Sequence, residues 1–205
     1  MVDAKIESNV LGVDGKSLGR QPGDLDAQSP AISAELSQRL LCVKLFLCDV
    51  DGILTDGSVF MGGGVEYKRF NIRDGLGLRL LQQCGIKVGW ISARPSEATK
   101  QRAEDLKIDF LVQALERKLD SAAALLQSSG LDWQEVAYMG DDVVDLGLLD
   151  RAGVAIAVSD GIAETKSLAH YVTSARGGDG AVREVVELIL KTQGKWAHLI
   201  EKFSA

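Results

Sequence analysis

Histidine and cysteine are scarce in this chain, positive charge is not in excess, and no stretch stays apolar for long. The two histidines, His170 and His198, are too few and too widely separated for a zinc site, and capping or surface roles are expected for them. The three cysteines, Cys42, Cys48 and Cys84, are an odd number without metal-ligand spacing, which implies reduced core thiols in a reducing compartment. With 23 basic against 29 acidic residues the net charge is -6, so the chain has no general attraction to nucleic acid or anionic lipid. No segment approaches the roughly 18 apolar residues of a membrane span. Acids and glycines stand in the first residues where a secretory leader has its apolar centre. These absences lead to the expectation of a cytoplasmic protein without nucleic-acid or membrane partners.

What is present is ordinary globular composition, 46% hydrophobic over 205 residues, enough for one domain with a sizeable core. Residues 1–38 read as a flexible extension, polar and rich in Gly, Ser and Asp, with room for a short helix at "AELSQRLL"; the domain proper is expected over 39–205. From there, extended runs alternate with helical ones. "CVKLFLCDV", "IKVGWIS", "IDFLV", "EVAYMG", "GVAIAV" and a short "YVT" read as strands, and "GSVFMGGGVEYKRFN" as a hairpin around Gly62, Gly63 and Gly64. "DGLGLRLLQQC" reads as a helix opening at Asp74, and "PSEATKQRAEDL" as one with Pro95 in its first turn. "RKLDSAAALLQSSG" places Leu119, Ala122, Ala123 and Leu126 on one stripe and stops at Gly130. "GAVREVVELILKTQG" lines up Val182, Val185, Val186, Ile189 and Leu190. The alternation predicts an α/β fold, a doubly wound, Rossmann-like parallel sheet with a small β-hairpin insertion and no large cap domain. Ligands in such sheets bind beyond the carboxyl ends of the strands.

The polar residues gather at those ends. Asp49 and Asp51 close the first strand, Ser92 and Arg94 the second, Lys118 follows the third, and Asp141, Asp142 and Asp145 follow the fourth. Carboxylates sharing one mouth raise one another's pKa unless a cation neutralises them, and hard oxygen ligands suit Mg²⁺. Lys118, Ser92 and the backbone N–H groups around Gly52 add donors for an anion. Metal, lysine, hydroxyl and amides together describe a phosphoryl group held for transfer. With no cysteine or serine–histidine pair at hand, an aspartate is the natural nucleophile, and Asp51 can serve as acid and then as base. "DGLGLRLL" lacks the third glycine of a dinucleotide loop and reads as a helix start.

"DVDGILTDG", "ISAR", Lys118 in "LERKLD" and "MGDDVVD" resemble the four motifs of the haloacid dehalogenase superfamily. More narrowly, "VEYKRFNIRDGLGLRLLQQCGIKVGWIS" and the late "GGDGAVREVVELIL" resemble 3-deoxy-D-manno-octulosonate 8-phosphate phosphatases, over about residues 42–195. The resemblance implies a Mg²⁺-dependent phosphomonoesterase of lipopolysaccharide synthesis acting on a small phosphorylated sugar acid. By position, Asp49 is implied as nucleophile and metal ligand, Asp51 as acid/base and a metal ligand through its carbonyl, and Asp141 as the further metal ligand. Asp142 and Asp145 are implied to orient the metal's waters and Lys118, while Ser92 and Lys118 hold phosphoryl oxygens with Thr55 in support. Arg73, Asp74 and Gly75 are implied near the sugar, and Arg94 as partner of its carboxylate. The resemblance also implies a homotetramer joined through the hairpin of residues 58–71, with active sites near subunit interfaces and "RGGDGAVRE" as a tail over a neighbour's site. "SAR" stands where that family has "SGR", and the extension lies outside the resemblance. Three alternatives stay open: a phosphatase of nine-carbon, sialic-acid-type 9-phosphates, a non-catalytic oligomerisation domain of the same fold, and a signalling receiver. The last fits poorly because "IDFLV" ends without an aspartate.

Overall fold

The computed structural model describes residues 32–113 and 117–204. The expected extension falls outside these residues as far as position 31. The helix foreseen at its end is present as α1 (Ala34–Leu41), capped by Ser33, whose hydroxyl accepts the N–H of Leu36 at 3.1 Å. The boundary expected at 38/39 falls inside this helix. Leu36 and Leu40 are both buried in the core, so α1 is part of the packed unit rather than of a loose extension.

All six runs read as strands of the main sheet are found: β1 (Leu45–Cys48), β4 (Lys87–Ser92), β5 (Phe110–Gln113), β6 (Val136–Gly140), β7 (Val154–Ala157) and β8 (Tyr171–Val172). They pair in parallel in the order β5-β4-β1-β6-β7-β8. Counting these strands alone along the chain, the order runs 3-2-1-4-5-6, a doubly wound sheet whose direction of winding reverses beside β1. The insertion after β1 is the small antiparallel hairpin β2 (Phe60–Gly62) and β3 (Val65–Tyr67), turning at Gly63 and Gly64 with φ of +57° and +78°.

Side chains of β1 alternate between two cores, as strand geometry requires. Phe46 and Cys48 face one layer formed by α1, α2 (Ile72–Gln83), α3 (Glu97–Asp105), α7 (Ala181–Thr192) and α8 (Trp196–Ser204). Leu45 and Leu47 face the other, formed by α4 (Lys118–Ser129) and α5 (Leu146–Leu149). A short α6 (Ala163–Leu168) links β7 to β8. The stripe foreseen on α7 is wholly buried. On α4 it is shifted, with Leu125 buried beside Ala122 and Leu126 while Ala123 faces outward. Two helix starts also differ from expectation: α2 begins at Ile72 behind the cap Asn71, not at Asp74, and α3 begins behind Ser96, one residue after Pro95.

Candidate active site

The crevice lies where the winding reverses, at the carboxyl ends of β1 and β6. The N–H of Asp49 continues the ladder, donating to the Met139 carbonyl at 3.0 Å, which sets Asp49 directly at the end of the sheet. The chain then turns sharply, and the carbonyl of Val50 accepts the N–H groups of Ile53, Leu54 and Thr55. Gly52 sits in this turn with φ +93°, and a Cβ there would come within 2.1 Å of Asp141 Oδ2. Only glycine lets Asp141, just past β6, reach across to β1. A pair of glycines, Gly177 and Gly178, lets another loop close on this turn. Gly178 donates to the Ile53 carbonyl at 2.9 Å, and a Cβ on Gly177 would overlap the Gly52 carbonyl.

Lys118, the first residue of α4, is buried, with its Nζ 2.9 Å from Asp49 Oδ1 and 2.8 Å from Asp145 Oδ1. Burial alone would lower its pKa, but the two carboxylates outweigh that and hold it above the ordinary lysine value. Asp145 is fully buried and saturated: Oδ1 accepts from Lys118 Nζ and the Tyr138 hydroxyl (2.6 Å), and Oδ2 from the N–H groups of Asp141 (3.0 Å) and Asp142 (3.3 Å). A carboxylate offers about four lone-pair sites, so none is left for a metal ion.

Oxygens of Asp49, Asp141 and Asp145 lie within 4.8 Å of one another. Burial, then the opposing effect of Lys118 and the repulsion from Asp145, leaves Asp49 raised to about 6. Burial and the charges of Asp49 and Asp145 raise Asp141 to about 7. Asp141 Oδ1 is buried without any hydrogen-bond partner, and among the described residues nothing donates to the main-chain carbonyl of Asp51. An unpartnered carboxylate oxygen, a second carboxylate and a spare carbonyl form a hard, anionic donor set that fits Mg²⁺. Asp145 belongs to the cluster by distance only.

The remaining expected residues divide into two groups. Ser92 is buried at the end of β4, its hydroxyl donating to the Arg94 carbonyl (3.0 Å) and accepting the Arg94 N–H (3.1 Å). Thr55 is buried and braces the turn, accepting the Gly57 N–H at 3.2 Å. Asp142 caps the turn after β6 by accepting the Val143 N–H. Arg94 pairs with Glu66 on the hairpin at 2.5 Å. Arg73 is exposed in the first turn of α2. Asp74 and Gly75, which the resemblance implies near the sugar, are buried. The Asp74 carboxylate accepts the N–H groups of Gly180 (3.2 Å) and Arg183 (2.7 Å) at the start of α7, and a Cβ on Gly75 would meet Arg102 at 2.5 Å. "RGGDGAVRE" forms the turn against the chain's own Gly52 loop followed by α7.

Three residues in contact with these side chains were not singled out in the sequence. Tyr138 reveals itself only as a lone hydroxyl in an otherwise apolar strand. Glu66 and Lys68 lie on the hairpin, where alternating polarity reads as a solvated face; Lys68 Nζ is instead buried 2.8 Å from Asp51 Oδ1.

A model of haloacid dehalogenase-like hydrolases matches residues 116–185. The 3-deoxy-D-manno-octulosonate 8-phosphate phosphatase of Yersinia pestis is 40% identical over 165 residues, 80% of this chain and 88% of its own length. The chain belongs to the 3-deoxy-D-manno-octulosonate 8-phosphate phosphatase family. A member of that family from Escherichia coli K12 is 38% identical over the same shares of both chains. The family structure from Moraxella catarrhalis, solved with a magnesium ion, a phosphate ion and a KDO molecule, is 40% identical with a TM-score of 0.80, covering 82% of this chain and 98% of that one. The cobalt-bound member from Haemophilus influenzae is 36% identical with a TM-score of 0.75, covering 77% and 93%.

Proposed function

We propose that this chain is a Mg²⁺-dependent phosphatase that hydrolyses 3-deoxy-D-manno-octulosonate 8-phosphate by way of a phosphoryl group carried on Asp49. The observation that carries the reading is the cluster at the sheet's switch point, where Asp49 meets Asp141, whose Oδ1 is buried and partnerless, while Lys118 stands 2.9 Å from the nucleophile. Mg²⁺, held by Asp49, Asp141 and the carbonyl of Asp51, supplies Lewis-acid neutralisation of the phosphoryl charge.

The chain's own residues do the rest. Lys118, aimed by Asp145, and Ser92 hold the phosphoryl oxygens, a preorganised electrostatic contribution in a water-poor crevice. The free oxygen of Asp49 attacks phosphorus as the bond to the sugar oxygen breaks, and Asp51 delivers a proton to that departing alkoxide. Asp51 then takes a proton from water, whose oxygen attacks phosphorus and returns Asp49 with release of inorganic phosphate. Thr55 and Asp142 hold the two loops in shape. Arg73, exposed in the first turn of α2, and Arg94, exposed after β4, are the cations assigned to the sugar acid, Arg94 by exchanging Glu66 for the substrate's carboxylate.

The reading extends to assembly and compartment. Phe60 and its cross-strand partner Tyr67 on the hairpin are 59% and 60% exposed, an apolar surface that supports a homotetramer joined there, with active sites near the interfaces. Cys42, Cys48 and Cys84 are all unpaired, which supports a reducing cytoplasm. No helix among the described residues is long and apolar enough to cross a membrane.

The test is phosphate release with Mg²⁺ or with chelator from 3-deoxy-octulosonate 8-phosphate, the 9-phosphates of sialic acid and its deaminated analogue, and simple sugar phosphates. Preference for the eight-carbon acid, abolished by chelator, is expected. Preference for a nine-carbon acid would keep every catalytic role and change the substrate, and no release from any of them would sink the proposal.

A further inference from the structure

We propose that Lys68 is the positioning residue of Asp51, holding the acid/base carboxylate in one place through both half-reactions; the inference rests on the phosphatase reading above. Lys68 follows β3 directly, and its side chain is completely buried at 0% exposure. Both carboxylate oxygens of Asp51 lie within reach of its Nζ, at 2.8 and 2.9 Å. The same ammonium donates to Thr99 Oγ1 at 3.2 Å and lies 3.7 Å from Glu66. A lysine is rarely buried so deeply unless its charge is matched, and here the matching group is the one on which proton transfer depends.

The partners of Lys68 are themselves anchored. Thr99 is buried in the first turn of α3, its N–H donated to Ser96 Oγ at 3.3 Å. Ser96 Oγ in turn donates to Glu66 at 2.7 Å, and Glu66 also holds Arg94. The clasp therefore joins three parts of the chain: the turn after β1, the hairpin stem and the start of α3. Asp51 lies in a turn with its side chain partly open to solvent, and an untethered aspartate there would sample several rotamers. An ammonium touching both oxygens selects one. That matters twice, because Asp51 must meet the leaving oxygen in the first step and the attacking water in the second. Misplacing a reacting group by about 1 Å costs on the order of 10²-fold in rate. Lys68 touches no reacting atom in this scheme and acts only through Asp51.

The two steps can be separated with p-nitrophenyl phosphate, whose phenolate departs without needing a proton. Lys68→Met is expected to lower kcat on 3-deoxy-octulosonate 8-phosphate by about 10²-fold with a smaller change in KM. With p-nitrophenyl phosphate the same variant is expected to release a burst of one nitrophenolate per active site, then turn over slowly, because only the water step still requires Asp51. Mg²⁺ affinity measured by calorimetry should stay within about twofold, and Lys68→Met should add nothing to the loss from Asp51→Ala, as groups acting as a unit do. Lys68→Gln, which retains a donor in the buried clasp, is the second variant should Lys68→Met not fold. Unchanged turnover, a burst that falls in step with turnover, or losses that multiply with Asp51→Ala would each overturn the proposal. A wild-type chain that releases no phosphate from any ester would remove the phosphatase reading first, and this inference with it.

Discussion

At the scale of single residues, the site is built by dividing labour among carboxylates of one chemical type. Asp145 already accepts four hydrogen bonds and serves as a rigid support for Lys118 and the loop after β6. Asp141 has a buried oxygen with no partner, and Asp49 keeps Lys118 beside it. Asp49→Asn should therefore abolish phosphate release while circular dichroism and Tm remain near the wild type, since an amide is not a nucleophile but fills the same space. Residual turnover in that variant would exclude Asp49 as the phosphoryl carrier. The raised carboxyls give a second expectation. Without metal, burial and the neighbouring carboxylates push Asp49 up to about 6 and Asp141 up to about 7. Mg²⁺ binds the ionised forms, so binding at pH 6 should release protons, whereas at pH 8.5 both groups are already ionised and release should vanish. Calorimetry in buffers of differing ionisation enthalpy reads this directly, and the apparent Kd should weaken as pH falls below 7.

At the scale of elements, α7 and the hairpin matter most. The valine and isoleucine stripe of α7 was legible from its 3.6-residue period. Its place was not, because the glycines before it resembled a tail that reaches another subunit. In the fold, α7 packs on α2, and its first N–H groups are capped by Asp74 from that helix. Ile189→Ala should cost about 2–5 kcal/mol, read as a lowered urea midpoint, and removal of residues 178–205 should prevent folding rather than selectively lower activity. A truncated chain that stays folded with reduced turnover would restore the tail reading. The hairpin was legible from "GGG" between alternating runs. That its stem turns Glu66 and Lys68 inward was not, because strand periodicity cannot tell which polar side chain meets a buried partner.

At the scale of the whole molecule, the apolar outer face of the hairpin carries the assembly proposal. Phe60→Glu places a charge on the hairpin face shared with Tyr67, opposite the one that carries Glu66, without touching Asp51 or Lys68. The expected outcome is a smaller species in sedimentation velocity with an unchanged Tm for the isolated fold. An unchanged sedimentation coefficient would place the interface elsewhere, or show that there is none. The proposed tetramer would depend on surfaces from separate copies, which neither periodicity nor motif spacing can supply.

The amino-acid sequence by itself determined the alternation of strands and helices, the single parallel sheet and the location of the polar residues at its carboxyl ends. These are local properties: hydrophobic period, turn residues, and charges that interrupt buried runs. The positions of Asp49, Asp51, Ser92, Lys118 and Asp141 at strand ends or at the start of the following helix were legible for the same reason. Tertiary structure alone decided which carboxylate is saturated and which is free. It also set the Asp74 carboxylate of α2 against the first N–H groups of α7, and brought Lys68 to Asp51 across 17 residues of chain. Those outcomes depend on distances between segments remote in sequence and on the burial that makes each unpaired charge costly, and neither exists until the chain has folded.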